Sequence, residues 1–218
     1  MRVLAVSAML DNDVLAEALA SIATRVDAMR DALNAADRSL GDGDTGMTIA
    51  GIVGAWQAAS LRDAADVGAA IMALGRAAAS ATGSSLGSVI ATGLRAAGRD
   101  AAGRATLDRA GLVAALDAAL RAIGERSGAQ PGDKTVLDSL VAIRHALAGA
   151  TAKEGLLAVA LAAAERALRD YRDRASKLGR ARMYGERSIG HDDPGMLAIV
   201  LLLRAALATP GESGVART

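Results

Sequence analysis

Three carboxylates, Asp37, Asp42 and Asp44, fall within eight consecutive positions, and glycines at 41, 43 and 46 loosen the backbone around them. Carboxylate oxygens are hard ligands suited to Mg²⁺ or Ca²⁺, and Mg²⁺ is commonly held by a few carboxylates together with waters and phosphate oxygens. Two such charges about 4 Å apart, at an effective dielectric near 20, repel by roughly 4 kcal/mol. Arg38 is the one cation close by in sequence, so the cluster calls for a bound metal. Read blandly, the same stretch is a helix C-terminus followed by a solvated Asp/Gly turn, the usual setting of an isolated Asp-Gly pair. Residues 41–46 alone leave both readings open. An EF-hand is disfavoured, because the twelfth position counted from Asp42 is Val53 rather than the bidentate Glu of that loop.

The elements around this stretch read as helices. Leu15, Leu19, Ile22, Val26, Met29 and Leu33 recur at helical spacing. They predict one long helix, capped at Asn12 or Asp13, that delivers Asp37 at its end. A second helix begins over 45–48 and carries Ile49, Ile52, Val53 and Trp56. The acidic loop is then a helix-to-helix corner, where free N–H groups and the positive dipole end of the second helix would receive phosphate. Asp63 or Asp66 caps a third helix through Val67, Ile71 and Leu74. Residues 80–87, Ser-Ala-Thr-Gly-Ser-Ser-Leu-Gly, follow it. Their small and hydroxylated side chains suit either a second phosphate-cradling turn or a plain interhelix turn.

Further on, Leu112, Leu116 and Ile123 mark another helix, and residues 127–132 form the clearest break in the chain, with both Gly and Pro. Asp133-Lys134-Thr135 opens a helix in which His145 reads as a structural residue rather than a ligand. A helix through Leu156, Leu161 and Leu168 leads to a basic stretch, 172–187, and then to the loop 188–195. Pro194 stands at the first position of a last helix, 196–208. The basic residues are either a solvated surface or a complement to phosphates gathered at the acidic corner.

Composition agrees with a helical reading. Hydrophobic residues make up 52% of the 218, aromatics 1%, and there is no Phe. The core must therefore be built from Ala, Leu, Val, Ile and Met; small side chains let helices approach closely, and Ala is the best helix former. The expected fold is all-α, an up-and-down bundle of about eight helices in a single domain, 1–218, with loose ends near 1–10 and 209–218. Loops after every second helix, 37–48, 80–87, 128–135 and 179–195, would share one mouth of the bundle. A formal net charge of +1 gives no electrostatic case for nucleic acid or an anionic membrane. No cysteine is present, which excludes disulfides and thiol catalysis, and no run of about 18 apolar residues suggests a membrane span. A cytoplasmic location is expected.

Taken together, Asp37…Gly41-Asp42-Gly43-Asp44-x-Gly46, Pro131-Gly132-Asp133-Lys134-Thr135 and Gly185-Glu186-Arg187-Ser188-Ile189-Gly190-His191-x-Asp193-Pro194-Gly195 resemble the nucleotide-binding L subunit of the dihydroxyacetone kinases. The motifs occur in the family's order and nearly span the chain. The resemblance implies a barrel of eight antiparallel helices with a nucleotide, ADP or ATP, at one end. Asp37, Asp42 and Asp44 would hold two Mg²⁺ ions. Thr45, Gly46, Met47 and Thr48, with Ala81, Thr82 and Gly83, would contact phosphates, Arg180 would add a cationic contact, and Val136 with Asp193, Pro194 and Gly195 would line adenine and ribose. No residue of the chain would act as a nucleophile. Thr45 stands where His is usual, Thr82 where Ser is usual, Val136 where Met is usual, and Met196-Leu197 replaces small residues.

The implied activity is phosphoryl transfer to a hydroxyl of a short ketose held by a separate K-type subunit, with ATP or a phosphotransferase-system protein as donor. A homodimer is one possible assembly. The alternatives are a non-catalytic nucleotide-binding adaptor and a fatty-acid-kinase-like phosphotransferase domain, whose nucleotide site has a similar Asp-Gly-Asp-Thr-Gly corner.

Overall fold

The computed structural model describes residues 7–151 and 154–208. Among them lie nine α-helices: α1 (Asn12–Ala23), α2 (Val26–Asp37), α3 (Thr45–Gln57), α4 (Val67–Ala81), α5 (Ser85–Asp100), α6 (Arg109–Ser127), α7 (Val136–Gly149), α8 (Leu156–Arg172) and α9 (Pro194–Leu207). A 3₁₀ segment, Arg180–Ser188, lies between α8 and α9. Among the described residues the only β pairing is one isolated bridge, Leu10 with Leu107. The all-α expectation holds. No helix among the described residues is long and apolar enough to cross a membrane.

The single long helix expected over 13–37 is two helices. In a continuous helix the Ser21 carbonyl would receive the Arg25 amide. Instead Thr24 Oγ1 donates to that carbonyl at 2.8 Å and Arg25 Nη1 at 3.1 Å, while the Arg25 amide turns to the Ile22 carbonyl at 3.0 Å. Side-chain donors have outcompeted the backbone, and Arg25 leaves the helical region at φ −121°, ψ 5°. The break lets α1 pack on α9 while α2 turns to lie along α3.

Each helix from α2 onward packs on the next, and α9 returns to α1 and α2, closing the ring. Small residues set the spacing, as composition suggested. A Cβ on Gly68 would stand 2.6 Å from the Gly98 carbonyl oxygen, so α4 and α5 touch backbone to backbone there. One half of the core gathers Leu33, Ile49, Ile52, Val53, Trp56 and Leu74, and another gathers Ile143, Leu147, Leu156 and Val200. Trp56 Nε1 donates to the Leu74 carbonyl at 2.9 Å, so the one buried indole is satisfied.

The loops separate into two ends. At one, Leu10 and Leu107 exchange backbone bonds of 2.8 Å, Asn12 reaches the Ala64 carbonyl, the Leu156 amide reaches Ser7, and Arg109 caps the carbonyls of Thr151 and Glu154. Of the ends expected to be loose, 1–6 and 209–218 lie outside the described residues, while Ser7 and Leu10 carry these bonds. The other end brings together the loops after α2, α4, α6 and α8.

Candidate metal centre

Asp37 closes α2 with its side chain buried, and Asp42 and Asp44 stand exposed on the loop that follows. One oxygen of each lies within 4.8 Å of those of the other two. The loop is held to Asp37, whose Oδ2 accepts from the amides of Asp44 at 2.9 Å and Thr45 at 3.1 Å. Gly41 is required: a Cβ there would lie 2.2 Å from Asp37 Oδ1. So is Gly46, whose Cβ would meet the Arg30 carbonyl oxygen at 2.1 Å, because the start of α3 is pressed against α2. A cation already occupies the exposed side. Arg180 Nη1 pairs with Asp42 Oδ2 and lies 3.6 Å from Asp44 Oδ1. A guanidinium drawn onto two converging carboxylates marks where positive charge is favoured, and all-oxygen ligation by three Asp residues fits Mg²⁺.

The first turn of α3 differs from the sequence expectation. Of the N–H groups that a helix start leaves free, three are engaged by side chains: Asp44 and Thr45 on Asp37, and Gly46 on Asn34 Oδ1 at 2.8 Å. Asn34, one helical turn before Asp37, was missed, and an Asn near a helix end facing a glycine loop is the signal that would have found it. Thr45 is half-buried, Thr48 is buried, and Met47 projects into solvent at the mouth.

The second turn is built for shape as well as for hydroxyls. Ala81 ends α4, and Thr82 swings to φ −157°, ψ 146°. Thr82 Oγ1 accepts from the Ser84 amide, and Ser84 Oγ caps α5 by accepting from the Gly87 amide at 3.0 Å. Gly83 is exposed, with open space where a Cβ would stand. The turn lies beside α3, since a Cβ on Gly51 would come 3.8 Å from the Ala81 carbonyl oxygen.

Val136 and Asp193-Pro194-Gly195 do come together. A Cβ on Gly195 would lie 3.6 Å from both Val136 Cβ and Leu86 Cδ1, so the starts of α5, α7 and α9 meet in one apolar patch. Leu86 is a member that sequence reasoning did not name. Asp193 caps α9, accepting from the Met196 amide at 2.8 Å. Burial pushes its carboxyl up to about 6, against the opposing pull of the Met196 and Gly195 amides and of the Lys134 charge.

The largest omission is Lys134. Its side chain is wholly buried, at φ 61°. Nζ donates to the carbonyls of Arg172 at 3.1 Å, Arg174 at 2.8 Å and Ser188 at 2.9 Å. Burial lowers its pKa, while Asp193, Asp192 and Asp173 act to raise it. Next to it, Thr135 and Asp138 form a reciprocal capping box, and the second oxygen of Asp138 accepts from the Gly132 amide at 2.6 Å.

Residues 39–208 match the DAK2 domain family. The chain belongs to that family. Its DAK2 fold is 30% identical over 200 residues to the ADP-binding subunit DhaL of a PEP-dependent dihydroxyacetone kinase from Listeria innocua, covering 91% of this chain and 97% of that subunit. It is 38% identical over 176 residues to L-erythrulose 1-kinase of Mycolicibacterium smegmatis, covering 78% of this chain and 30% of that enzyme. The chain thus spans nearly all of one relative and under a third of the other. The dihydroxyacetone kinase of C. freundii, solved in a native form and with AMP-PNP and Mg²⁺, shares the fold with a TM-score of 0.64 at 22% identity; the match covers 89% of this chain, 33% of the native chain and 32% of the liganded one. Membership in a family with DhaL agrees with the resemblance carried by the Asp-Gly-Asp corner.

Proposed function

We propose that this DAK2 domain is the nucleotide-binding subunit of a dihydroxyacetone-type kinase. The observation that carries the reading is the meeting of Asp37, Asp42 and Asp44 with Arg180 at the mouth of the barrel. Relatives named for ADP binding, for a complex with AMP-PNP and Mg²⁺, and for erythrulose kinase activity support it. Asp37, Asp42 and Asp44 would hold two Mg²⁺ ions, which supply charge neutralisation on the phosphates when bound. Thr45, Thr48, Thr82 and Gly83 would flank the phosphates, and Leu86, Val136, Pro194 and Gly195 would pack on the purine and ribose.

In the transfer from ATP, the bond from the terminal phosphorus to its bridging oxygen breaks and ADP leaves with that oxygen, as a substrate hydroxyl oxygen bonds to phosphorus and passes its proton to a base on the K-type subunit or to water. The chain's own residues contribute positioning and charge rather than a nucleophile, as is usual for this chemistry. Arg180 shifts from the carboxylates to the phosphate oxygens. The acceptor is a short ketose on a separate K-type subunit, the donor is ATP or a phosphotransferase-system protein acting on retained ADP, and the setting is the cytoplasm.

The test is the nucleotide content of gently purified protein, followed by melting with ADP or ATP, with and without Mg²⁺. Retained ADP that resists exchange supports the fixed-coenzyme form, and reversible stabilisation by Mg-ATP supports direct ATP use. No bound nucleotide and no Mg²⁺-dependent shift overturns the assignment. Mg-nucleotide binding without turnover beside any K-type subunit would make the chain an adaptor instead.

A further inference from the structure

Lys134 touches none of the three aspartates, yet its contacts lead to them. Its three acceptors bracket the connection between α8 and α9: Arg172 is the last residue of α8, Arg174 lies two positions beyond it, and Ser188 closes the 3₁₀ segment. Other bonds close the same loop at its base. Gly190 N–H donates to the Arg172 carbonyl at 2.9 Å, Lys177 N–H to the Asp133 carbonyl at 3.1 Å, and Ser176 N–H to Ser188 Oγ at 2.8 Å. Ser188 Oγ in turn donates to the Gly185 carbonyl, and Arg172 forms a two-bond pair with Asp192. Arg180, on the outer part of this loop, meets Asp42 and Asp44 instead. Burying an ammonium is costly unless it is fully hydrogen bonded, and a lysine kept in a left-handed conformation adds backbone strain. A fold that needed only to join α8 to α9 has no use for either cost.

We propose that Lys134 is the positioning residue of this site: by clamping the carbonyls of Arg172, Arg174 and Ser188 it draws the basic connection into a closed loop that holds Arg180 at the metal-binding carboxylates and the phosphates they gather. The proposal rests on the nucleotide reading of the site. It makes the turn 131–135, through its one buried residue Lys134, a structural partner of a guanidinium on another loop.

The experiment compares the full chain with Lys134→Met, Arg180→Ala and the double variant. Without nucleotide, trypsin should cut after Arg180, Arg182 and Arg187 about tenfold faster in Lys134→Met while the helices still melt cooperatively. An unchanged cleavage rate overturns the proposal. With Mg-ADP, calorimetry should give about tenfold weaker binding for Lys134→Met when Arg180 is present and under about twofold when it is absent, the mark of action through Arg180. Equal losses in both backgrounds would reduce Lys134 to support of the fold and overturn it. If wild-type protein takes up no Mg-ADP, the nucleotide reading fails, and the trypsin comparison still decides whether Lys134 holds the loop. Should Lys134→Met not fold, Lys134→Gln, whose amide offers two N–H donors for three carbonyls, weakens the same clamp, and unchanged cleavage and affinity there overturn the proposal.

Discussion

Asp42 and Asp44 stand in solvent on a glycine-bearing loop and share one guanidinium, whereas Lys134, at the same end of the barrel, is wholly buried with an acceptor for each of its three protons. The acidic corner has negative charge to spare and few internal partners. The lysine is satisfied to the last donor. Under the proposed function, exposed carboxylates stay hydrated and accessible to ions and nucleotide, while a group that holds geometry is worth its desolvation only when every bond is made. Asp37 belongs to both kinds: buried like the lysine, it ties down two amides and still turns toward the exposed pair.

If that contrast is right, Lys134→Met should be the most damaging single change. It strands three carbonyls, and a loss on the order of 3 kcal/mol is expected, which for a domain of this size lowers the melting temperature by roughly 6–12 °C. A drop of under about 2 °C in a thermal scan would break the comparison, because the lysine would then be no keystone.

Asp193 sharpens it through pH. Its carboxyl is raised from the ordinary 3.8 to about 6 in the folded chain, so the folded state binds the proton more tightly than the unfolded one. The stabilisation is therefore complete below pH 3.8 and is lost as pH rises through about 6, a decline of roughly 2–3 kcal/mol. Asp193→Asn removes that decline and keeps an oxygen for the Met196 amide. Urea unfolding of both proteins at several pH values should show the variant's relative stability growing between pH 4 and 7; a constant difference would mean that Asp193 titrates as an ordinary carboxylate.

Asp37→Ala should cost about 2 kcal/mol, because the amides of Asp44 and Thr45 lose their buried acceptor, and should also abolish Mg²⁺-dependent stabilisation. Chemical denaturation without metal isolates the first effect. Stability equal to wild type there would place Asp37 with the exposed aspartates rather than between the two regions.

How much of this was readable in the sequence depended on distance along the chain. The acidic cluster was legible because Asp37, Asp42 and Asp44 sit within one helix end and its loop, so spacing alone places them together. The all-helical bundle was legible from Ala-rich periodic segments and from Gly/Pro breaks, while its closure into a ring was implied only by the family resemblance. Lys134 was not, since its acceptors are backbone carbonyls 38, 40 and 54 positions away, and a carbonyl leaves no trace in residue type. The occupied amides at the start of α3 were hidden for a related reason: Gly46 answers to Asn34, twelve positions earlier on a separate helix. The break at Thr24 and Arg25 fell inside an unbroken apolar period, which records the buried face but not the competition for the Ser21 carbonyl.

The smallest expected effect on stability is also the most diagnostic for the exposed side. Asp42→Asn and Asp44→Asn each weaken a solvent-exposed pairing with Arg180 and relieve repulsion between neighbouring carboxylates. Surface pairs contribute about 0–1 kcal/mol, so without divalent metal the two variants should melt within about 2 °C of wild type. Mg²⁺ with ADP should then stabilise wild type and leave both variants unmoved. The same pair of scans separates binding from folding: a large loss without metal would make the corner a structural element like the lysine, and full Mg-ADP stabilisation of both variants would take the metal away from these carboxylates.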